Sequence, residues 1–248
     1  MRRIGLFARG LAALALLAVA LGACSPSAPS SRDAQKNADW VRNEFLKLEN
    51  SGEPIGETFK AIRETDNALY QRMMKIFAEE IARGKRPAEA GEAARPLYME
   101  QFAKQMRYLE DDDVGAMLDI TLKELASAAA SSPMACVKLG RGENDPAFRK
   151  FPKEVQDAEF RLMARAMRLK PRDLPTASEE EATAWVTALT EAKPDLLEGL
   201  SIVSLPAPSD TQAKMICEAS RALMEDLKSK EPAERARLFR RLQVMAAT

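Results

Sequence analysis

The sequence predicts an all-α fold, an irregular bundle of about 7–9 helices. Three observations predict it. Apolar residues recur at spacings of three and four along most of the chain after residue 37. Proline, glycine and short polar clusters separate these periodic stretches. Only Leu196–Leu205 (LLEGLSIVSL) could form a strand. A single strand has no partner, so it reads as a short helix and a loop.

In chain order, Trp40, Val41, Phe45 and Leu48 form the first stripe, ended by Asn50-Ser51-Gly52. Pro54 opens the next segment. Ile55, Phe59, Ile62, Asp66, Leu69, Met73, Ile76 and Glu80 then keep one 3-4 row, which predicts one long helix stopped near Gly84 and Pro87. Pro96 starts another, with Tyr98, Phe102, Met106 and Leu109 inward. Asp111-Asp112-Asp113 precede Val114, Met117, Leu118, Thr121, Leu122 and Leu125. Ser131–Asn144 carries Ser-Ser-Pro and Gly140-Arg141-Gly142 and reads as a break. Asp145-Pro146 caps a short turn bearing Phe148 and Phe151. A helix over Lys153–Leu169 follows, broken by Pro171 and Pro175. Ser178 caps a segment burying Trp185, Val186 and Leu189. Ser209 or Asp210 opens a helix with Ile216, Cys217, Leu223 and Leu227 inward. Glu231-Pro232 opens the last, with Phe239 and Leu242 inward.

Composition excludes whole classes of chemistry. The 248 residues contain no histidine, which removes Ser-His-Asp and Cys-His catalysis, the usual zinc sites and a His-ligated haem. Lys+Arg and Asp+Glu number 37 each, so there is no electrostatic case for nucleic acid. Gly140-Arg141-Gly142 is not a nucleotide loop, because Asp145 stands where a third glycine belongs and no strand precedes it. No metal or cofactor is expected.

The N-terminus carries an address. Arg2, Arg3 and Arg9 form a basic start. Leu11–Leu21 is an unbroken apolar run of the length of a signal-peptide h-region, too short for a bilayer span of about 20 residues. It ends in Leu21-Gly22-Ala23-Cys24, which resembles the lipobox of bacterial lipoproteins. The resemblance covers residues 1–24. It implies cleavage before Cys24 and acylation of Cys24, and several acyl chains hold a protein stably where one does not. Ser25 in place of Asp implies an outer-membrane destination in a Gram-negative envelope. The alternative is an ordinary secretory signal cut after Ala18-Val19-Ala20. It would leave Cys24 as an exposed thiol. The mature side chains lose three arginines and no acid, which leaves a net charge near −3. With Cys24 as lipid carrier, Cys136 and Cys217 remain as one pair in an oxidising compartment and are expected to form a structural disulfide.

The partition is then a signal peptide (1–23), a lipidated tether (24–36), an N-terminal helical lobe (37–130), a linking segment (131–144) and a C-terminal helical lobe (145–248). Asp66 is the most unusual polar residue, on an apolar row between Ile62 and Leu69. Buried there, it could serve as a general acid; a pairing with Arg63 or Arg72, or a local helix break, explains it structurally. Asp111-Asp112-Asp113 lack the spacing of a calcium loop and fit N-capping and the helix dipole. Glu179-Glu180-Glu181 fit the first turn of a helix. Arg235, Arg237, Arg240 and Arg241 are expected on a solvated helix face. The expected function is not catalytic: a periplasm-facing, outer-membrane lipoprotein that binds an envelope protein as an accessory, inhibitor or immunity-type factor. The alternatives are a carboxylate-dependent enzyme acting on envelope glycan and a binder of lipid or another hydrophobic ligand.

Overall fold

Helices carry the structure, with no strand among the described residues. It is a computed structural model that describes residues 34–143 and 145–247. The signal segment, Cys24 and the tether up to residue 33 lie outside the described residues. Eleven α-helices are present among the described residues: α1 Ala34–Glu49, α2 Pro54–Thr65, α3 Asn67–Ala82, α4 Pro87–Met106, α5 Asp111–Ser131, α6 Pro133–Gly140, α7 Lys153–Met167, α8 Glu179–Ala192, α9 Asp195–Ser201, α10 Asp210–Ser229 and α11 Pro232–Ala247. A 3-10 turn spans Pro146–Lys150.

The count exceeds the expected 7–9 for two local reasons. The row from Ile55 to Glu80 is two helices, because the chain turns at Asp66 (φ −143°, ψ 76°). The N–H of Asp66 closes α2 on Ile62 O, and its carboxylate opens α3 by accepting the Leu69 N–H at 2.9 Å. The expected break at 131–144 contains α6. Ser132 caps it by accepting the Ala135 N–H, and Pro133 fills its first position. Pro96 is also displaced from its expected role. It lies inside α4, which begins nine residues earlier at Pro87. Residues 34–36, expected in the tether, belong to α1.

Contacts group the described chain into two compact units. One comprises residues 34–104 and 156–169; the other comprises 105–155 and 170–247. The 131–144 segment lies inside the second unit. In the first unit, Phe45 of α1 meets Phe59, Phe77 and Tyr70 edge-on at centroid distances of 4.9, 5.5 and 6.0 Å. That geometry suits the aromatic quadrupoles. At the border of this cluster the Glu49 carboxylate accepts from Tyr70 Oη at 2.5 Å and Arg63 Nε at 2.8 Å. Burial, then the Glu49 charge, push the Tyr70 phenol well above its ordinary value.

The second unit is fastened more heavily. Cys136 of α6 and Cys217 of α10 form the expected disulfide, with Cα atoms 5.7 Å apart. Arg141, at the end of α6, donates to Val203 O (3.1 Å), Leu205 O and Pro206 O (3.3 Å), and so holds the loop after α9. Gly199 of α9 lies so close to α10 that a Cβ would sit 2.5 Å from Met215 O. Around these fasteners α10 buries Ala213, Ile216, Leu223, Met224 and Leu227.

Candidate functional site

Helix α8 begins where the sequence places it. Ser178 accepts the Glu181 N–H at 3.1 Å, and Glu181 accepts the Ser178 N–H at 2.7 Å, a reciprocal capping box. Only Ala182, Trp185 and Leu189 of this helix are buried. With about 100° per residue, these three fall on one narrow edge. The two flanks of α8 line two separate half-open grooves.

The first groove has a volume of about 350 Å³ and is apolar. Ala182, Val186, Thr187 and Thr190 form its α8 wall, Leu197 and Leu200 its α9 wall, and Leu242 and Met245 its α11 wall. Leu197 is 60% exposed, the most exposed large apolar side chain among the described residues. Hydroxyl groups of the lining are bonded to carbonyls of their own helices. Thr183 Oγ1 donates to Glu179 O at 2.6 Å, Thr190 Oγ1 to Val186 O at 3.0 Å and Ser201 Oγ to Glu198 O at 2.8 Å. Among the described residues, no charged side chain lines this groove.

The second groove, about 650 Å³, is charged. Glu181, Trp185 and Ala188 come from the opposite flank of α8, Asp226 from α10, Lys230 from the end of α10, and Glu234 and Arg237 from α11. Two polar links tie α8 to this side. Trp185 Nε1 donates to Asp226 Oδ2 at 2.6 Å, and Arg237 pairs with Glu181. Lys230 Nζ stands 3.3 Å from the same Asp226 oxygen. The Ser178 N–H and the Arg237 guanidinium hold the Glu181 carboxyl below the usual carboxylate range.

The candidate residues from the sequence scatter rather than converge. Cys24 lies outside the described residues. Cys136 and Cys217 are buried in the disulfide. Asp66 stands at the α2–α3 corner in the first unit, its carboxylate engaged by Leu69 N–H. Asp111 stands in the first turn of α5, but Glu110 occupies the N-cap and makes no side-chain cap bond. Asp111 instead accepts from Arg240 at 2.7 Å. The expected solvated arginine face is a correction. Arg240 is 2% exposed and also donates to Leu109 O at 2.8 Å and Pro175 O at 3.1 Å. Arg235 lies over Gly115 of α5, where a Cβ would fall 2.9 Å from its guanidinium. Arg240 faces inward where α11 packs on α5 and on the segment leading into α8, and its charge meets carbonyls and a carboxylate there, while Arg235, Arg237 and Arg241 stay partly exposed.

The grooves were not legible from sequence. Most lining residues are ordinary helical ones, and the one available signal was Leu196-Leu197, an apolar pair in a short segment. Among the described residues no group of His, Cys, Asp and Glu is placed to hold a metal ion, and no helix is long and apolar enough to cross a membrane. Comparison with protein-family models, curated proteins and solved structures finds no match to this chain.

Proposed function

We propose that this chain is a lipid-anchored protein of the bacterial cell envelope that binds a partner protein through the apolar groove of α8, α9 and α11. The observation that carries the reading is the groove with Leu197 exposed on its wall. An uncovered apolar groove between helices is the surface into which an amphipathic helix lays its apolar side chains. The occupant is apolar and neutral, because the Thr183, Thr190 and Ser201 hydroxyls donate within their own helices and no charged side chain among the described residues lines the groove. The lipobox-like Leu21-Gly22-Ala23-Cys24 supports the anchor and the envelope location. The anchor would confine partner search to the membrane surface, which raises the effective concentration for weak docking.

The enzyme alternative has less support. A glycan-cleaving pair needs two carboxylates about 5–10 Å apart and open to substrate. Of the three carboxylates of the charged groove, Glu181 is engaged by Ser178 and Arg237 and Asp226 by Trp185 and Lys230, which leaves Glu234 without a second open carboxylate among the described lining residues.

A photoreactive residue at position 197 tests the docking reading in intact cells. It is expected to give one discrete adduct, while the same residue at Leu46, another exposed apolar position, gives none. Equal adducts from both positions, or none from either, contradict it. The anchor is tested separately by palmitate labelling, which Cys24→Ala is expected to abolish.

A further inference from the structure

We propose that α8 is a rocking wall that couples the apolar groove to the charged groove, so that filling one reshapes the other. The proposal rests on the docking reading for its biological sense and deepens it by assigning a regulator to that site.

The argument begins with how α8 is held. Its two groove-lining faces are about half a turn apart: Ala182, Val186 and Thr190 toward one groove, Glu181, Trp185 and Ala188 toward the other. Between them lies the thin buried edge of Ala182, Trp185 and Leu189. Both ends are pinned. Before α8, Ala177 N–H donates to Arg237 O at 3.1 Å, and Arg241 Nε donates to Ala177 O at 2.6 Å. After it, Gly199 locks α9 against α10. A helix pinned at both ends, standing on one edge, with open space on either flank, has one soft motion, a roll about its own axis. Packed surroundings convert a small roll into a discrete change at the flanks.

The polar links are asymmetric. Glu181–Arg237 and Trp185–Asp226 both cross the charged groove. A side chain entering the apolar groove pushes α8 toward the charged groove and moves both links. Because the two equilibria are then linked, breaking a link changes the affinity of the apolar groove in turn. Charge chemistry on one side of α8 thereby regulates apolar docking on the other.

The test needs no partner. Ser201→Phe fills the apolar groove from α9, the wall opposite α8, and the full chain is read by its two tryptophan indole N–H signals. Trp185→Phe assigns them. The expected result is a displaced Trp185 indole signal with its proton exchanging several-fold faster, and an unmoved Trp40 signal. In the reverse direction, Arg237→Gln is expected to shift the backbone amides of Leu197 and Ser201. Arg221→Gln, which breaks an exposed pair with Glu225 away from both grooves, is expected to shift neither. If Ser201→Phe does not fold, Ser201→Leu is the smaller wedge read the same way. An unmoved Trp185 signal in a folded wedge variant overturns the proposal, as does an Arg237→Gln effect no larger than that of Arg221→Gln. A failed coupling with a position-197 adduct intact removes the rocking wall alone, and the loss of that adduct with coupling intact removes the docking reading alone.

Discussion

Helices α10 and α8 belong to the same unit and have similar capping boxes, yet they are held in opposite ways. Helix α10 buries eight residues and carries half of the disulfide, and Gly199 lets α9 approach its backbone directly. Helix α8 buries three residues and has a groove on each flank. Local sequence cannot account for the contrast, because Ser178–Glu181 and Ser209–Gln212 make the same reciprocal cap. The difference comes from packing. One part of the unit is a frame, and one wall is left soft beside the candidate docking groove. Functional elements are commonly drawn from the low-stability end of a fold in this way.

The frame can be broken first. Reducing the Cys136–Cys217 bond opens a loop with 81 residues of sequence separation. The loss of stability is expected to reach about 4.5 kcal/mol on the chain-entropy estimate. Denaturant midpoints with and without reductant measure it, and equal midpoints would show that the packing of α6 and α10 suffices without the bond. Arg240→Met comes next. It leaves the buried Leu109 carbonyl without its donor and removes the bonds to Pro175 O and to the half-exposed Asp111, at a cost of about 2 kcal/mol. A drop below about 0.5 kcal/mol would return Arg240 to the solvated face that the sequence suggested. Gly199→Ala forces a methyl group onto Met215 O, and about 1–3 kcal/mol is expected from the overpacking. Thermal unfolding of that variant reads the α9–α10 approach directly.

The soft wall is expected to respond more weakly and more locally. Ser178→Ala removes the acceptor for the Glu181 N–H, a loss of about 1 kcal/mol confined to α8. Acid acts in the same place. The Ser178 N–H and the Arg237 guanidinium depress the Glu181 carboxyl in the folded state, with Arg241 adding to this. A depressed carboxyl stabilises the fold above the ordinary carboxylate range, and that contribution fades as pH falls through the lower folded value. The Trp185 spectrum is therefore expected to hold through the ordinary carboxylate range and to change only below it, and a change centred within that range would contradict the Glu181 pairing.

How much of this was readable depended on whether the cause was local. The caps at Ser178 and Ser209 and the Asp145-Pro146 turn follow from residues within three positions of each other, and they stand where the sequence put them. The short helix and loop over Leu196–Leu205 were legible for a different reason, the lack of any partner strand, and the helix spans Asp195–Ser201. Ser132-Pro133 carried an equally local signal for α6, but the surrounding Ser and Gly residues read as a break. Asp66 was visible as an oddity, while the corner it makes was hidden, because Ile62 and Leu69 keep their 3-4 phase across the break. The burial of Arg240 could not be read. Its partners Pro175, Asp111 and Leu109 lie 65, 129 and 131 residues away. The grooves depend likewise on the meeting of α8, α9, α10 and α11, which no periodicity records.

Amide hydrogen exchange on the full chain tests the contrast between frame and wall most directly. Residues 184–191 of α8 are expected to exchange through a local opening at least about tenfold faster than residues 216–227 of α10, with α9 following α10. Equal protection along α8 and α10, lost together only on global unfolding, would contradict the account.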